Sequence, residues 1–271
     1  MEKTERAVRR VRHELKFRLL RVRAVRKVTP RLLRVTLEGD DLAGFSSAAH
    51  DDHVKLFFPA PGQQRPVVPT PGPNGMVFPE GQPRPAARDY TPRRYDAQAG
   101  ELDIEFALHG DGPAAEWAAR AEAGQYLGVG GPRGSFVMEG EFDGYLLVGD
   151  ETALPAIARR LEELPAGARA VVVAEVADAA EEQSFDTRAD VDVRWVHRDG
   201  VAPGSPELLA QAVAGLGKPQ GDWYAWVAAE SGVAKRVRQV LVENWQLPKE
   251  WIKAAGYWKL GAAATHDKHE D

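Results

Sequence analysis

Not one of the 271 residues is cysteine. That excludes disulfides, thiolate nucleophiles, Cys-ligated zinc and Cys-ligated iron–sulfur clusters. Any redox chemistry in this chain therefore has to be carried by a bound cofactor. Long apolar runs are missing too: no stretch approaches the roughly 20 residues that a membrane-spanning helix needs. The N-terminus is basic, but no apolar segment follows its charges as a secretory signal would require. A cytoplasmic location without a membrane partner is the resulting expectation. Neither internal repeats nor long low-complexity tracts are evident. The G-x-G-x-x-G fingerprint and the phosphate-loop lysine of the common nucleotide folds are also lacking.

What is present suits a globular protein of about two domains. Hydrophobic residues make up 44% and charged residues 28%, enough apolar material for two cores. The formal charge of −5 hides an asymmetry. Residues 1–34 carry 13 Lys and Arg against Glu2, Glu5 and Glu14, a balance of +10, which leaves −15 for the remainder. Such an arm fits a nucleic-acid or anionic-lipid contact. No nucleic-acid fold signature accompanies it. From Phe17 to Arg26 the charges mostly alternate with apolar residues. The arm is therefore read as a solvated helix over residues 1–16 followed by a strand with a basic outer face, with no nucleic-acid partner.

Hydrophobic period divides the rest. Leu33–Leu37 and Leu102–Leu108 alternate with period two, the second placing Leu102, Ile104, Phe106 and Leu108 on one face. Strands of this kind over residues 17–141, separated by turn-rich segments, predict an antiparallel β-barrel. Its Pro- and Gly-rich segment from Pro59 to Pro85 reads as a long surface loop. After Glu141 the runs Tyr145–Val148 and Ala170–Ala174 are continuously apolar, as in strands buried on both faces. Helical segments at Ala153–Leu164, Pro206–Ala214 and Gly232–Trp245 lie between the later strands. Residues 142–261 thus predict a doubly wound parallel-sheet α/β domain, whose ligands sit beyond the carboxyl ends of its strands. Residues 262–271 are expected to be a disordered tail.

Four stretches carry chemistry. Arg88-Asp89-Tyr90-Thr91-Pro92-Arg93 offers two guanidiniums for phosphate, an aromatic face for a flat ring system and a hydroxyl. Alone it is equally a polar strand end with a turn. His109 to Trp117, with Gly112, Pro113 and Ala114, follows a strand and opens a helix, where free N–H groups suit an anion. A plain strand–turn–helix connection explains it as well. Gly130-Gly131-Pro132-Arg133-Gly134 is a tight turn at the end of the barrel. Gly149-Asp150-Glu151-Thr152 follows a buried strand and opens a helix, the position where α/β sheets bind nucleotides. His50-Asp51-Asp52-His53 has ligand-type residues, but neighbours along a strand point to opposite faces. His53 is therefore read as ending a barrel strand, with no metal site.

Taken in order, these motifs resemble the siderophore-interacting proteins, ferric-siderophore reductases of the ferredoxin-reductase-like superfamily. The resemblance extends to Asp52–Pro59, to Trp226-Val227-Ala228-Ala229-Glu230 and to Gly256-Tyr257-Trp258-Lys259, and spans residues 17–261. It implies an FAD-binding barrel joined to a nicotinamide-binding domain, with electrons passing from NADPH or NADH through FAD to siderophore-chelated iron(III). Arg88, Tyr90, Thr91 and Arg93 would then be the flavin motif, with Tyr90 packed on the ring system and Thr91 at its reactive edge. His109, Gly112, Pro113, Ala114, Trp117, Gly131 and Gly134 would complete the FAD site. Gly149, Asp150, Glu151, Thr152, Ala229, Glu230, Tyr257 and Trp258 would form the nicotinamide side.

Lys55, Arg133 and Lys259, each in or beside a family motif, are the expected contacts to an anionic ferric siderophore. Ala229 stands where the family more often has glycine, and Lys259 where arginine is common. The alternatives are a non-catalytic siderophore or flavin binder, a reductase fed by ferredoxin, and a reductase of another iron chelate. NADPH against NADH is open, with Arg159, Arg160, Arg194 and Arg198 each able to meet a 2′-phosphate. Nothing demands more than a monomer.

Overall fold

The computed structural model describes residues 6–73, 75–108, 112–261 and, for the backbone alone, 267–268. The chain divides into two compact units, Met1–Gly140 and Glu141–Asp271.

The first unit is built on β1 (Val8–Arg12), β2 (Phe17–Thr29), β3 (Leu32–Glu38), β4 (Val54–Phe57), β5 (Thr70–Gly72), β6 (Gly75–Val77), β7 (Ala87–Tyr90), β8 (Pro92–Asp96), β9 (Glu101–Ala107), β10 (Tyr126–Gly130) and β11 (Gly134–Met138), with the short helix α1 (Pro113–Ala118). Seven strands form one antiparallel sheet in the order β7-β4-β10-β2-β3-β9-β8. Its edge strands β7 and β8 are consecutive in the chain, with Thr91 alone between them. One extended segment therefore belongs to both edges, and the sheet has to curl until they meet at Thr91. Alternation fills the inside: Leu20, Val22, Val35, Leu37, Val54, Leu56, Leu102, Ile104, Phe106, Leu127 and Val129 form one buried cluster.

The other face of β9 is covered as well. Asp103 and Glu105 are 3% and 4% exposed and are matched by cations from the flanking strands. Arg34 reaches Glu105 at 2.8 and 2.5 Å, Arg94 reaches Asp103 at 2.9 Å and Glu101 at 2.8 Å, and Thr36 donates to Asp103 at 2.7 Å. Buried carboxylates with such partners tie β3, β9 and β8 together and fix the position of the segment through Thr91.

The second unit contains β12 (Gly144–Gly149), α2 (Leu154–Glu163), β13 (Arg169–Val176), β14 (Asp190–His197), α3 (Pro206–Ala214), β15 (Trp223–Glu230), α4 (Ser231–Glu243), β16 (Ile252–Trp258) and β17 (Asp267–Lys268). The strand order is β14-β13-β12-β15-β16-β17, the first five parallel and the last antiparallel. All eight residues of β15 are buried, as a central parallel strand requires. α4 buries Val233, Ala234, Val237, Val240 and Leu241, a stripe at helical spacing. The chain leaves β12 toward β13 and β14, then returns to pair β15 on the other side of β12. The topological switch point is therefore the gap between β12 and β15.

Four expectations are corrected. Among its described residues, 6–16, the arm contains a strand and no helix: β1 pairs antiparallel with β11, from Val8↔Met138 to Arg12↔Gly134. Pairing with β11 satisfies one edge of the β1 backbone, and Arg10 lies 5.2 Å over the Phe136 ring. The loop after Pro59 carries the small hairpin β5–β6. His53 precedes the start of β4 instead of ending a strand. In the tail, Asp267–Lys268 pair with Ala255–Gly256, while 262–266 and 269–271 lie outside the described residues.

Candidate functional site

In the first unit the Arg88–Arg93 segment lies along the seam. Among the described residues each edge strand of the sheet has one neighbour, β4 for β7 and β9 for β8, so the seam carries backbone groups that no second described strand engages. Tyr90 is half-buried and packs on Phe106, with ring centroids 4.5 Å apart. Phe106 meets Trp117 at 5.6 Å, and Trp117 meets Phe58 at 5.8 Å. This aromatic file fixes the Tyr90 ring from behind, and burial pushes its hydroxyl well above the ordinary phenol range. Tyr90 therefore stays neutral and able to donate.

Thr91 and Arg93 are buried, with Arg93 Nε 3.9 Å from Glu105. Arg88 donates to the Ala87 carbonyl at 2.8 Å. Gly112 opens α1 with Pro113 in its first turn, and no atom of the described residues lies within 4 Å of where a Cβ on Gly112 would stand. His109 lies outside the described residues. An aromatic plate, a strand edge and open glycine backbone, with two arginines in the segment, fit a flat cofactor carrying phosphates such as FAD.

Lys55 and the turn bearing Arg133 belong to the same neighbourhood. Lys55 stands opposite Gly130 in the β4–β10 pairing and opposite Asp89 in the β4–β7 pairing, and its ammonium is 2.6 Å from the Asp89 carboxylate. Gly131 follows β10 with φ 87°, and Arg133 is exposed. Gly134 sits where β1 passes closely: a Cβ there would lie 2.6 Å from the Val11 carbonyl.

In the second unit the predicted nicotinamide residues converge on the switch point. Gly149 ends β12 beneath α2, and a Cβ on it would lie 2.4 Å from Ala153 Cβ and 2.7 Å from the Ala228 carbonyl. Glycine is what lets strand and helix approach so closely. Buried Asp150 bridges the gap between strands: its Oδ2 accepts from Glu230 N at 3.0 Å and Trp258 Nε1 at 2.8 Å. Its Oδ1 takes the Thr152 amide and hydroxyl at 2.9 and 2.6 Å. Glu230 caps α4 through Gly232 N and Val233 N at 2.5 and 3.1 Å, and accepts from Leu260 N at 3.2 Å. Tyr257 meets Trp226 edge-on at 6.0 Å. Ala229 is fully buried in the apolar core, so its methyl belongs to packing. Lys259 follows β16 and is exposed.

Glu175 was not anticipated. It is the penultimate residue of β13, is 2% exposed, and is the one acid interrupting the apolar run Ala170–Val176, which is the signal that could have found it. Arg198 spans Glu151, at 2.6 and 2.7 Å, and Glu175 at 3.3 Å. Burial and the nearby Asp150 raise Glu175 to about 7 against the pull of Arg198. Arg198 is thus committed to carboxylates. Of the other arginines considered for a 2′-phosphate, Arg159 bonds Glu163, Arg194 bonds Asp192, and Arg160 lies over Tyr145. Among the described residues no group of three His, Asp or Glu side chains could hold a metal ion, and no helix is long and apolar enough to cross a membrane.

Comparison with known proteins agrees with both halves. Residues 21–136 match the siderophore-interacting FAD-binding domain and residues 142–261 the siderophore-interacting protein family. An NADPH-dependent ferric-chelate reductase of Escherichia coli is 38% identical over 95% of this chain and 99% of its own. The crystal structure of a siderophore utilization protein from T. fusca superposes with a TM-score of 0.88 at 42% identity, covering 96% of this chain and 98% of that one. A ferredoxin reductase in carbazole 1,9a-dioxygenase, 18% identical with a TM-score of 0.63 over 88% of this chain and 68% of that one, shares the fold. With the Tyr90–Thr91 seam in one unit and the switch-point carboxylates in the other, the chain belongs to the siderophore-interacting protein family and has the ferredoxin-reductase-like fold.

Proposed function

We propose that this chain is an FAD-dependent, NADPH-oxidising reductase of ferric siderophores. The observation that carries the reading is near-full-length similarity to an NADPH-dependent ferric-chelate reductase. When bound, FAD supplies a centre that accepts two electrons together and releases them singly to iron(III). The protein's part is binding, orientation and electrostatics. Tyr90, held by Phe106, offers one face to the flat ring system, and Thr91 sets the seam against its edge. Arg88 and Arg93 balance phosphate charge, with backbone at Gly112, Pro113 and Ala114 beside them. His109, Trp117, Gly131 and Gly134 complete that site.

Gly149, Asp150, Glu151, Thr152, Glu230, Tyr257 and Trp258 hold the nicotinamide donor. Asp150 fixes the loop by gathering Thr152, Glu230 and Trp258. Ala229 supports it from the core. Lys55, Arg133 and Lys259 attract the anionic ferric chelate. The reading places the protein as a cytoplasmic monomer; fractionation and size-exclusion chromatography test that, and a pull-down with ferredoxin tests the alternative donor.

The functional test is a spectrum of the protein reconstituted with FAD, followed by anaerobic NADPH or NADH and then a ferric tris-catecholate with an iron(II) trap. Bleaching of the flavin, then its reoxidation as iron(II) appears, supports the reductase. Absence of FAD binding sinks the reading. Binding without bleaching by either nicotinamide shifts the electron source to ferredoxin or leaves a binder.

A further inference from the structure

The basic arm has no role of its own in the proposed reaction, yet besides pairing along β11 it grips one turn. Gly131-Pro132-Arg133-Gly134 is held from the arm side at four points. His13 N donates to the Arg133 carbonyl at 3.0 Å, Gly131 N donates to the Lys16 carbonyl at 2.9 Å, and Arg18 Nη1 donates to the Gly131 carbonyl at 2.9 Å. Arg12 pairs with Gly134 in the β1–β11 ribbon. One side chain completes this clamp. His13 Nε2 lies 2.7 Å from Ser135 Oγ, the residue two after Arg133.

Hydrogen-bond inventory fixes the direction of that contact. Ser135, 1% exposed, has one hydroxyl proton and two lone pairs. The proton goes to the Asp52 carboxylate at 2.6 Å, which also takes Ser47 Oγ at 2.8 Å and Ala49 N at 3.1 Å. One lone pair takes Ala48 N at 3.1 Å. The second is left for His13, whose Nε2 must carry the hydrogen and donate. Ser135 is then fully satisfied, and the arm, the 47–52 loop and the Arg133 turn share a single buried node. The same loop runs directly into β4, which bears Lys55.

We infer that His13, acting through Ser135 and Asp52, is a positioning residue for Arg133: the arm sets the turn that presents this guanidinium to the anionic ferric chelate. The inference rests on the reading that Arg133 contacts substrate. It gives the arm a role in substrate affinity and none in the delivery of electrons to the flavin. A long, mobile Arg side chain gains binding energy only when its base is fixed, since ordering it otherwise costs affinity.

The experiment uses the FAD-reconstituted full chain with an anionic ferric tris-catecholate as substrate. His13→Ala should raise the KM for the chelate about three- to tenfold, the cost of one lost hydrogen bond and a loosened turn. With FAD saturating, because Gly131 and Gly134 of the same turn belong to the proposed FAD site, kcat and the anaerobic rate of flavin reduction by NADPH should be unchanged. His13→Gln, whose amide can donate to Ser135, should restore the KM; His13→Asn, too short to reach it, should behave as His13→Ala. Arg133→Ala should raise the KM on its own, and adding His13→Ala to it should change nothing further. A wild-type KM in both His13→Ala and His13→Asn, with Arg133→Ala impaired, overturns the positioning role while leaving Arg133 as a contact. Full additivity of the two alanine substitutions overturns it as well. A normal KM in Arg133→Ala removes the contact itself, and the inference with it.

Discussion

Tyr90 presents a ring whose back is already occupied by Phe106, so little side-chain entropy remains to be lost when a flat ligand covers its front. Tyr90→Ala is expected to weaken FAD binding about tenfold, and Tyr90→Phe far less, as measured by fluorescence titration. Arg198 poses the opposite problem. It is 5% exposed and neutralises Glu151 and Glu175. Arg198→Met should cost about 3 kcal/mol in urea unfolding, because two carboxylates are left without their cation.

Glu175 adds a pH signature. Its folded pKa of about 7 lies above its ordinary 4.5, so the native state holds this proton more tightly than the unfolded chain does. The stabilisation is present below about pH 4.5 and is lost as pH rises toward 7. The fall in unfolding free energy from about pH 5 to 7 should be steeper in wild type than in Glu175→Gln. Equal slopes would show that Glu175 ionises normally.

At the scale of elements, the loop from β12 to α2 and the start of α4 are joined by Asp150 and Glu230. Glu230 is both the α4 cap and part of the proposed nicotinamide site. Glu230→Ala is therefore expected to lower stability by about 1–2 kcal/mol and to raise the KM for NADPH while leaving that for the chelate unchanged. Steady-state kinetics with each substrate varied in turn checks the split.

Elements were legible where period decided them. Leu33–Leu37, Tyr145–Val148 and Ala170–Ala174 lie within strands of the structure, and Leu102–Leu108 overruns β9 only at Leu108, because alternation and continuous burial are local properties. Asp103 and Glu105 read as the wet face of an alternating strand. Period reports that they face away from Leu102 and Ile104, but not that arginines from β3 and β8 cover them. β1 escaped for a related reason: its partner β11 is about 126 residues away in the chain, and a short basic segment has no apolar stripe to betray the pairing.

For the whole molecule, hydrophobic period changes near residue 141, and the chain divides into compact units at Gly140/Glu141. The charge asymmetry, +10 in residues 1–34 against a net −5, has a consequence for kinetics. If Lys55, Arg133 and the arm draw in an anionic chelate, its KM should rise several-fold as salt goes from about 0.05 to 0.5 M. A KM insensitive to salt would assign the arm's charge to solubility alone.

The sequence by itself determined the class of cofactor, the fold class and the segments proposed for the site, since these are written in local motifs and in hydrophobic period. Tertiary structure decided how those segments meet. It brought β7 and β8 to one seam at Thr91, spent Arg198 on Glu151 and Glu175, and set His13 against Ser135 122 residues away. The reason is physical: a side chain's partner in a barrel or a parallel sheet is set by strand order and closure, which depend on burying the whole core at once and not on neighbours along the chain.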